Sequence, residues 1–141
     1  MSRMLTVVAL AALAVALAAC TGGADGADRT VSVRMFDDMR YDPDRLDINA
    51  GDTVRFEVTN SGETRHEFFI GTTDAHREHA EEMREREHAD EAHANPAAVT
   101  VEPGQTGSLE YTFDEAGELF VGCHEPGHYE AGMVAPITVH P

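Results

Sequence analysis

Within the eleven residues from Cys123 to Met133 the chain carries a thiol, two imidazoles and a thioether: Cys123, His124, His128 and Met133. Pro126-Gly127 bends the backbone between them. A soft thiolate, borderline imidazoles and a thioether form the donor set of a His₂Cys copper site with a weak axial Met. The spacing Cys-x₄-His-x₄-Met lets one loop supply Cys123, His128 and Met133. The second imidazole must come from elsewhere. His66 is the candidate, in Arg65-His66-Glu67-Phe68-Phe69-Ile70-Gly71, after a turn signal and at the head of an apolar run.

In such a site Cys123 binds as thiolate, because a coordinated metal drives off the thiol proton. His66 and His128 supply neutral imidazole nitrogens, and Met133 a long fourth contact. His124 follows the ligand Cys directly, where chain direction points it away from the same ion. Phe68, Phe69 and Phe120 read either as a water-excluding shell around the site or as plain core. Counting donors excludes rivals. A dinuclear copper centre needs two bridging cysteines in this loop, and a multicopper oxidase needs His-x-His motifs, which do not occur. Zinc can occupy His₂Cys, but the Irving–Williams order and the Met favour copper.

The elements that must position these residues are strands. Thr30–Phe36 alternates with period two; Leu46 and Ile48 precede a turn at Ala50-Gly51-Asp52; Val54, Phe56 and Val58 share one face of the next strand. Asn60-Ser61-Gly62 ends that strand, and His66–Gly71 starts another. Strand signals return at Val99-Thr100-Val101, at Leu109, Tyr111 and Phe113, at Leu119-Phe120-Val121, and at Val134–Val139 after Met133. Seven or eight short strands at regular spacing predict an all-β sandwich or barrel. One segment breaks the pattern. Residues 72–96 predict a helix running from a cap at Thr73-Asp74 through Glu91, almost without an apolar face and therefore exposed to solvent.

The two motifs together, His-Glu-Phe at 66–68 and Cys-x-x-Pro-Gly-His-Tyr-x-Ala-Gly-Met at 123–133, resemble cupredoxins of the plastocyanin/azurin type. They are most similar to the bacterial periplasmic cupredoxins associated with copper tolerance. The resemblance covers roughly residues 30 to 140. It implies a Greek-key cupredoxin sandwich with one type-1 site, blue or green, cycling copper between Cu(I) and Cu(II). Its ligands would be His66, Cys123, His128 and Met133. The implied function is single-electron transfer, copper handling outside the cytoplasm, or both. Related motifs often have an apolar residue where this chain has His124.

The 73–95 segment carries a second set of donors, His76, His79, Met83, His88 and His93, among eight acids. His76, His79 and Met83 fall on one helical face. Two readings stand: secondary metal positions that make the protein a copper buffer without a dedicated redox partner, or a solvated charge-rich helix with incidental histidines.

Residues 1–19 have the layout of a secretory signal, an apolar run from Leu5 to Ala19 that is short for a membrane span. Leu17-Ala18-Ala19-Cys20 resembles a lipobox, with Cys20 the lipidated residue and 20–28 a Gly-rich tether to a domain at 29–141. With Cys20 committed to lipid, Cys123 is left as a lone thiol in an exported protein, which its donor neighbours assign to metal. The net charge is −16, with ten arginines and no lysine. It opposes nucleic acid and fits two readings equally, cationic partners such as a basic cytochrome or solubility in a salty habitat, while the membrane is reached through lipid. An enzyme of the nitrite reductase or oxidase kind needs a second copper centre. A chain this short is not expected to build one, so it reads as a non-enzyme.

Overall fold

The computed structural model describes residues 26–86 and 95–141. The expected signal segment and Cys20, and also His88 and His93, lie outside these residues. The described chain orders nine strands and one helix: β1 (Arg29–Phe36), β2 (Arg40–Asp42), β3 (Leu46–Asn49), β4 (Thr53–Asn60), β5 (His66–Gly71), α1 (Thr73–Arg86), β6 (Ala98–Val101), β7 (Thr106–Thr112), β8 (Gly117–Gly122) and β9 (Val134–His140). They form two sheets, β2-β1-β4-β7 and β3-β9-β8-β5-β6. Two of the pairings, β1 with β4 and β3 with β9, are parallel. The sandwich expectation holds. Asp28 exchanges hydrogen bonds with Thr53 at its backbone and carboxylate.

Period-two alternation explains the core. Val54, Phe56 and Val58 project inward from β4 and are fully buried, facing Phe68 and Ile70 of β5 and Val121 of β8 within one cluster. Phe68 packs edge-on against Tyr41 and tilted against Phe56, with ring centroids 5.8 and 5.2 Å apart. Burying such aromatic side chains stabilises the sandwich by about 1.5–3 kcal/mol each. The Tyr41 hydroxyl donates to the Glu67 carbonyl at 2.8 Å and ties the first sheet to the strand that opens with His66.

β5 departs from simple alternation, because all six of its residues are buried. His66, Phe68 and Ile70 face the core. Glu67, Phe69 and Gly71 face the other way, where α1 covers them. The Thr72 hydroxyl caps α1 by accepting from the Ala75 amide at 3.2 Å. The helix was expected to be exposed all round. Instead His76 and His79 are buried, 1% and 3% exposed. The His79 ring stacks on Phe69 at 4.2 Å, and the His76 ring meets Phe69 edge-on at 4.8 Å. Hydropathy counts imidazole as polar, yet a ring with a nitrogen tied to a partner, the Phe120 carbonyl for His76 and the Glu67 carboxylate for His79, packs as an aromatic. Met83 stays half-buried and the remaining described helix positions are largely charged and exposed.

Candidate metal centre

β8 delivers Cys123. Its antiparallel register with β5 sets Gly122 opposite Phe69, so the chain enters the ligand loop alongside His66-Glu67. The loop is closed by its own backbone. The Cys123 amide donates to the Met133 carbonyl at 3.2 Å, the Met133 amide to the His128 carbonyl at 3.0 Å, and the His128 amide to the Glu125 carbonyl at 3.0 Å. Gly127 and Gly132 take φ of 81° and 95°, which side chains rarely allow, and so turn the loop back on itself. These bonds bring His128 and Met133 back over Cys123.

Three donors converge. His66 Nδ1 and His128 Nδ1 are 3.2 Å apart, and the Cys123 sulfur lies 3.4 Å from His128 Nδ1 and 3.9 Å from His66 Nδ1. An ion about 2.0–2.1 Å from nitrogen and about 2.3 Å from sulfur bridges such spans. Among the described residues this trio is the one group of His, Cys or carboxylate donors that converges in this way. Met133 is fully buried at the end of the same loop. The donor set of two imidazoles, thiolate and nearby thioether fits copper.

Surrounding groups orient each ligand. Asp37 accepts from His66 Nε2 at 3.0 Å, which leaves the lone pair on Nδ1. Asp37 itself is held by the Glu63 amide at 2.7 Å and by the Thr64 hydroxyl at 2.8 Å. Led by the Glu63 backbone bond, these contacts hold its carboxyl well below the usual carboxylate range. Asn60 shapes the preceding turn, donating to the carbonyls of Thr64 at 2.7 Å and Val101 at 2.9 Å. The Glu67 amide donates to the Cys123 sulfur at 3.3 Å. Without a metal, burial pushes the Cys123 thiol up to about 11, against the pull of the Glu67 and Glu125 amides. Metal binding must therefore displace a proton from it. Burial, then the neighbouring His66, lowers His128, so this imidazole offers its neutral form.

His124 points away from this trio, as its place in the chain predicts, and joins the helix. His124 Nε2 lies 2.9 Å from His76 Nδ1, and Tyr129 stacks on the His124 ring at 4.6 Å. The Glu67 carboxylate spans the junction, accepting from His79 Nε2 at 2.9 Å and from the His124 amide at 3.2 Å. Burial depresses both His76 and His124, the latter to about 4. Phe68 is core and Phe69 supports the helix, while Phe120 is half-buried and uses its carbonyl rather than its ring.

Sequence reasoning missed Asp37, the Glu67 side chain and the His76–His124 pair. The one local signal was a charged Glu67 inside an otherwise apolar strand, a position that demands a buried partner. Glu125, three residues before His128 in the ligand loop, is also paired. Its carboxylate is bound in bidentate fashion by Arg65, at 2.8 and 3.0 Å, and only Glu130 remains exposed there.

Comparison with known proteins agrees with this geometry. The chain is 45% identical over 118 residues to the copper-resistant cuproprotein CopI of Rubrivivax gelatinosus, covering 84% of this chain and 70% of that one. It is 34% identical to the CopI of Pseudomonas aeruginosa, covering 82% of this chain and 78% of that one. The fold is similar to that of reduced auracyanin from Roseiflexus castenholzii, with a TM-score of 0.68 and 23% identity over 82% of this chain and all of that one. Auracyanin B gives a TM-score of 0.69, also at 23% identity, over 82% of this chain and 91% of that one. Residues 28–140 match the family described as copper binding proteins, plastocyanin/azurin family. The chain therefore belongs to the plastocyanin/azurin family of copper-binding proteins and carries one type-1 copper site of the cupredoxin kind.

Proposed function

We propose that the protein is an exported copper-tolerance cupredoxin, anchored to a membrane by lipid on Cys20 and facing the periplasm or the cell exterior. The observation that carries this reading is the convergence of His66, Cys123 and His128 within 3.2–3.9 Å on a closed, buried loop. The similarity to copper-resistant cuproproteins supports it. Bound copper supplies a one-electron Cu(I)/Cu(II) couple. The chain's own residues do the rest. His66 and Cys123 are withdrawn from water, Asp37 fixes the His66 ring, and the β-scaffold keeps the donors in place whichever charge they face. No substrate chemistry is assigned to the protein.

Expression in a copper-sensitive bacterial host tests the reading. The wild-type chain should raise the copper concentration that permits growth, and Cys123→Ser should not. Equal protection by Cys123→Ser would overturn a role for the type-1 site in tolerance. A second reading, electron exchange with a cationic partner such as a basic cytochrome, is favoured by His128. It is the one ligand of the trio that is only half-buried, and exposed Glu130 lies two residues away. Salt-dependent oxidation of a reduced basic cytochrome would support it, and salt-independent or absent exchange would not.

A further inference from the structure

We propose that Asp37 sets the redox preference of the type-1 centre: its carboxylate, hydrogen-bonded to the far side of the His66 ring, favours Cu(II) over Cu(I). The inference rests on the type-1 site described above. It goes beyond fixing the ring, because it gives this carboxylate a part in which oxidation state the site retains.

Asp37 belongs to neither ligand element. It follows β1, in a turn where Met39 takes a left-handed φ of 62°, and it reaches across 29 positions to His66 at the head of β5. The turn before β5 forms a cradle for it. One carboxylate oxygen accepts from the Glu63 amide at 2.7 Å. The other accepts from the Thr64 amide at 3.2 Å, the Thr64 hydroxyl at 2.8 Å and His66 Nε2 at 3.0 Å. An ionised carboxylate offers about four lone-pair positions, and these four donors engage them. A carboxylic acid would have to donate one bond, and no acceptor faces it, so the cradle selects the anion. Gly62 makes the approach possible, since a Cβ there would lie 2.7 Å from Asp37 Cγ.

His66 is fully buried, so its Nε2–H answers to this carboxylate rather than to bulk water. An anion drawing on that proton makes Nδ1 the more basic donor. Cu(II) carries one more positive charge than Cu(I) and gains more from a basic imidazole. Asp37 is partly exposed, so solvent screens its direct field and the hydrogen bond through the ring carries the effect. The competing role is purely structural, a tie between two turns that would serve both oxidation states alike.

Full-length protein, wild type against Asp37→Asn, separates the two. Affinities for Cu(II) and Cu(I) are measured by competition with a chelator for each ion, and the reduction potential by redox titration of the thiolate band. Nitrogen NMR of the metal-free protein reads the His66 tautomer. Asp37→Asn keeps the shape and removes the charge. We expect Cu(II) affinity to fall about 10-fold further than Cu(I) affinity, which raises a one-electron potential by about 59 mV. Gly62→Ala leaves all four donors in place and pushes the end of the Asp37 side chain aside. It should move the potential the same way, and it decides the matter if Asp37→Asn does not fold. In the metal-free wild type the His66 proton should sit on Nε2. A potential that stays or falls in the folded variants would overturn the proposal, as would equal losses of Cu(I) and Cu(II) affinity. A proton on Nδ1 of His66 in the metal-free wild type would also overturn it. Absence of the thiolate band in the wild type would instead refute the type-1 site itself, and this proposal with it.

Discussion

Glu67 is the residue through which the helix, the ligand strand and the ligand loop meet, and its removal should be costly. Its carboxylate accepts from two donors, His79 Nε2 at 2.9 Å and the His124 amide at 3.2 Å, while the residue is only 3% exposed. Glu67→Ala leaves both donors buried without a partner. At about 1–3 kcal/mol for each unsatisfied buried group, the loss should be about 4 kcal/mol. That is a large share of the roughly 5–15 kcal/mol by which domains are stable. Glu67→Gln keeps one carbonyl oxygen and should cost about half as much. Guanidinium unfolding of the metal-free protein measures it. With a slope of about 4 kcal/mol per molar, Glu67→Ala should lower the midpoint by about 1 M. A double-mutant cycle with His79→Ala should return a coupling above about 1 kcal/mol, because the two groups touch. The His124 amide should lose hydrogen-exchange protection in Glu67→Ala. A cost below about 1 kcal/mol with zero coupling to His79 would refute the docking of α1 on the copper loop.

Other consequences follow from the same contacts. Asp37→Ala frees His66 Nε2 and should weaken copper binding about 10- to 100-fold, read by competition with a chelator, with little change in the thiolate band position. Because the Asp37 carboxyl is held below its ordinary value, its contribution to metal-free stability is present above the unfolded carboxylate pKa of about 4. It should be lost as pH falls below that value, and Asp37→Asn should flatten this part of the stability profile. Gly122→Ala drives a methyl to 2.8 Å from both His76 Cε1 and Tyr129 Cε2. It should destabilise the protein by about 1–3 kcal/mol in thermal or chemical unfolding and displace the helix before it disturbs β8.

The converging trio His66, Cys123 and His128 was legible in the sequence because its chemistry is local. Cys123, His128 and Met133 sit on one loop at fixed spacing, and His66 opens a strand whose alternation predicts where it points. The sandwich was legible for the same reason, since Val54-Arg55-Phe56-Glu57-Val58 can bury only one face in a strand. What stayed hidden depends on contacts between residues far apart in the chain. Asp37 reaches His66 across 29 positions and Arg65 reaches Glu125 across 60, and neither pair has a periodic signature. The helix was misjudged because imidazoles score as polar in any hydropathy pattern. Only the facing Phe69, Tyr129 and Glu67 turn His76 and His79 into an inward face.

The most direct test of the central claim is a Cu(II) titration of residues 25–141, following the visible spectrum while bound copper is counted. The account predicts an intense thiolate-to-copper band that saturates at one equivalent and is absent from Cys123→Ser. Absence of that band at every loading, in protein that remains folded, would contradict the assignment of His66, Cys123 and His128 as a type-1 copper site.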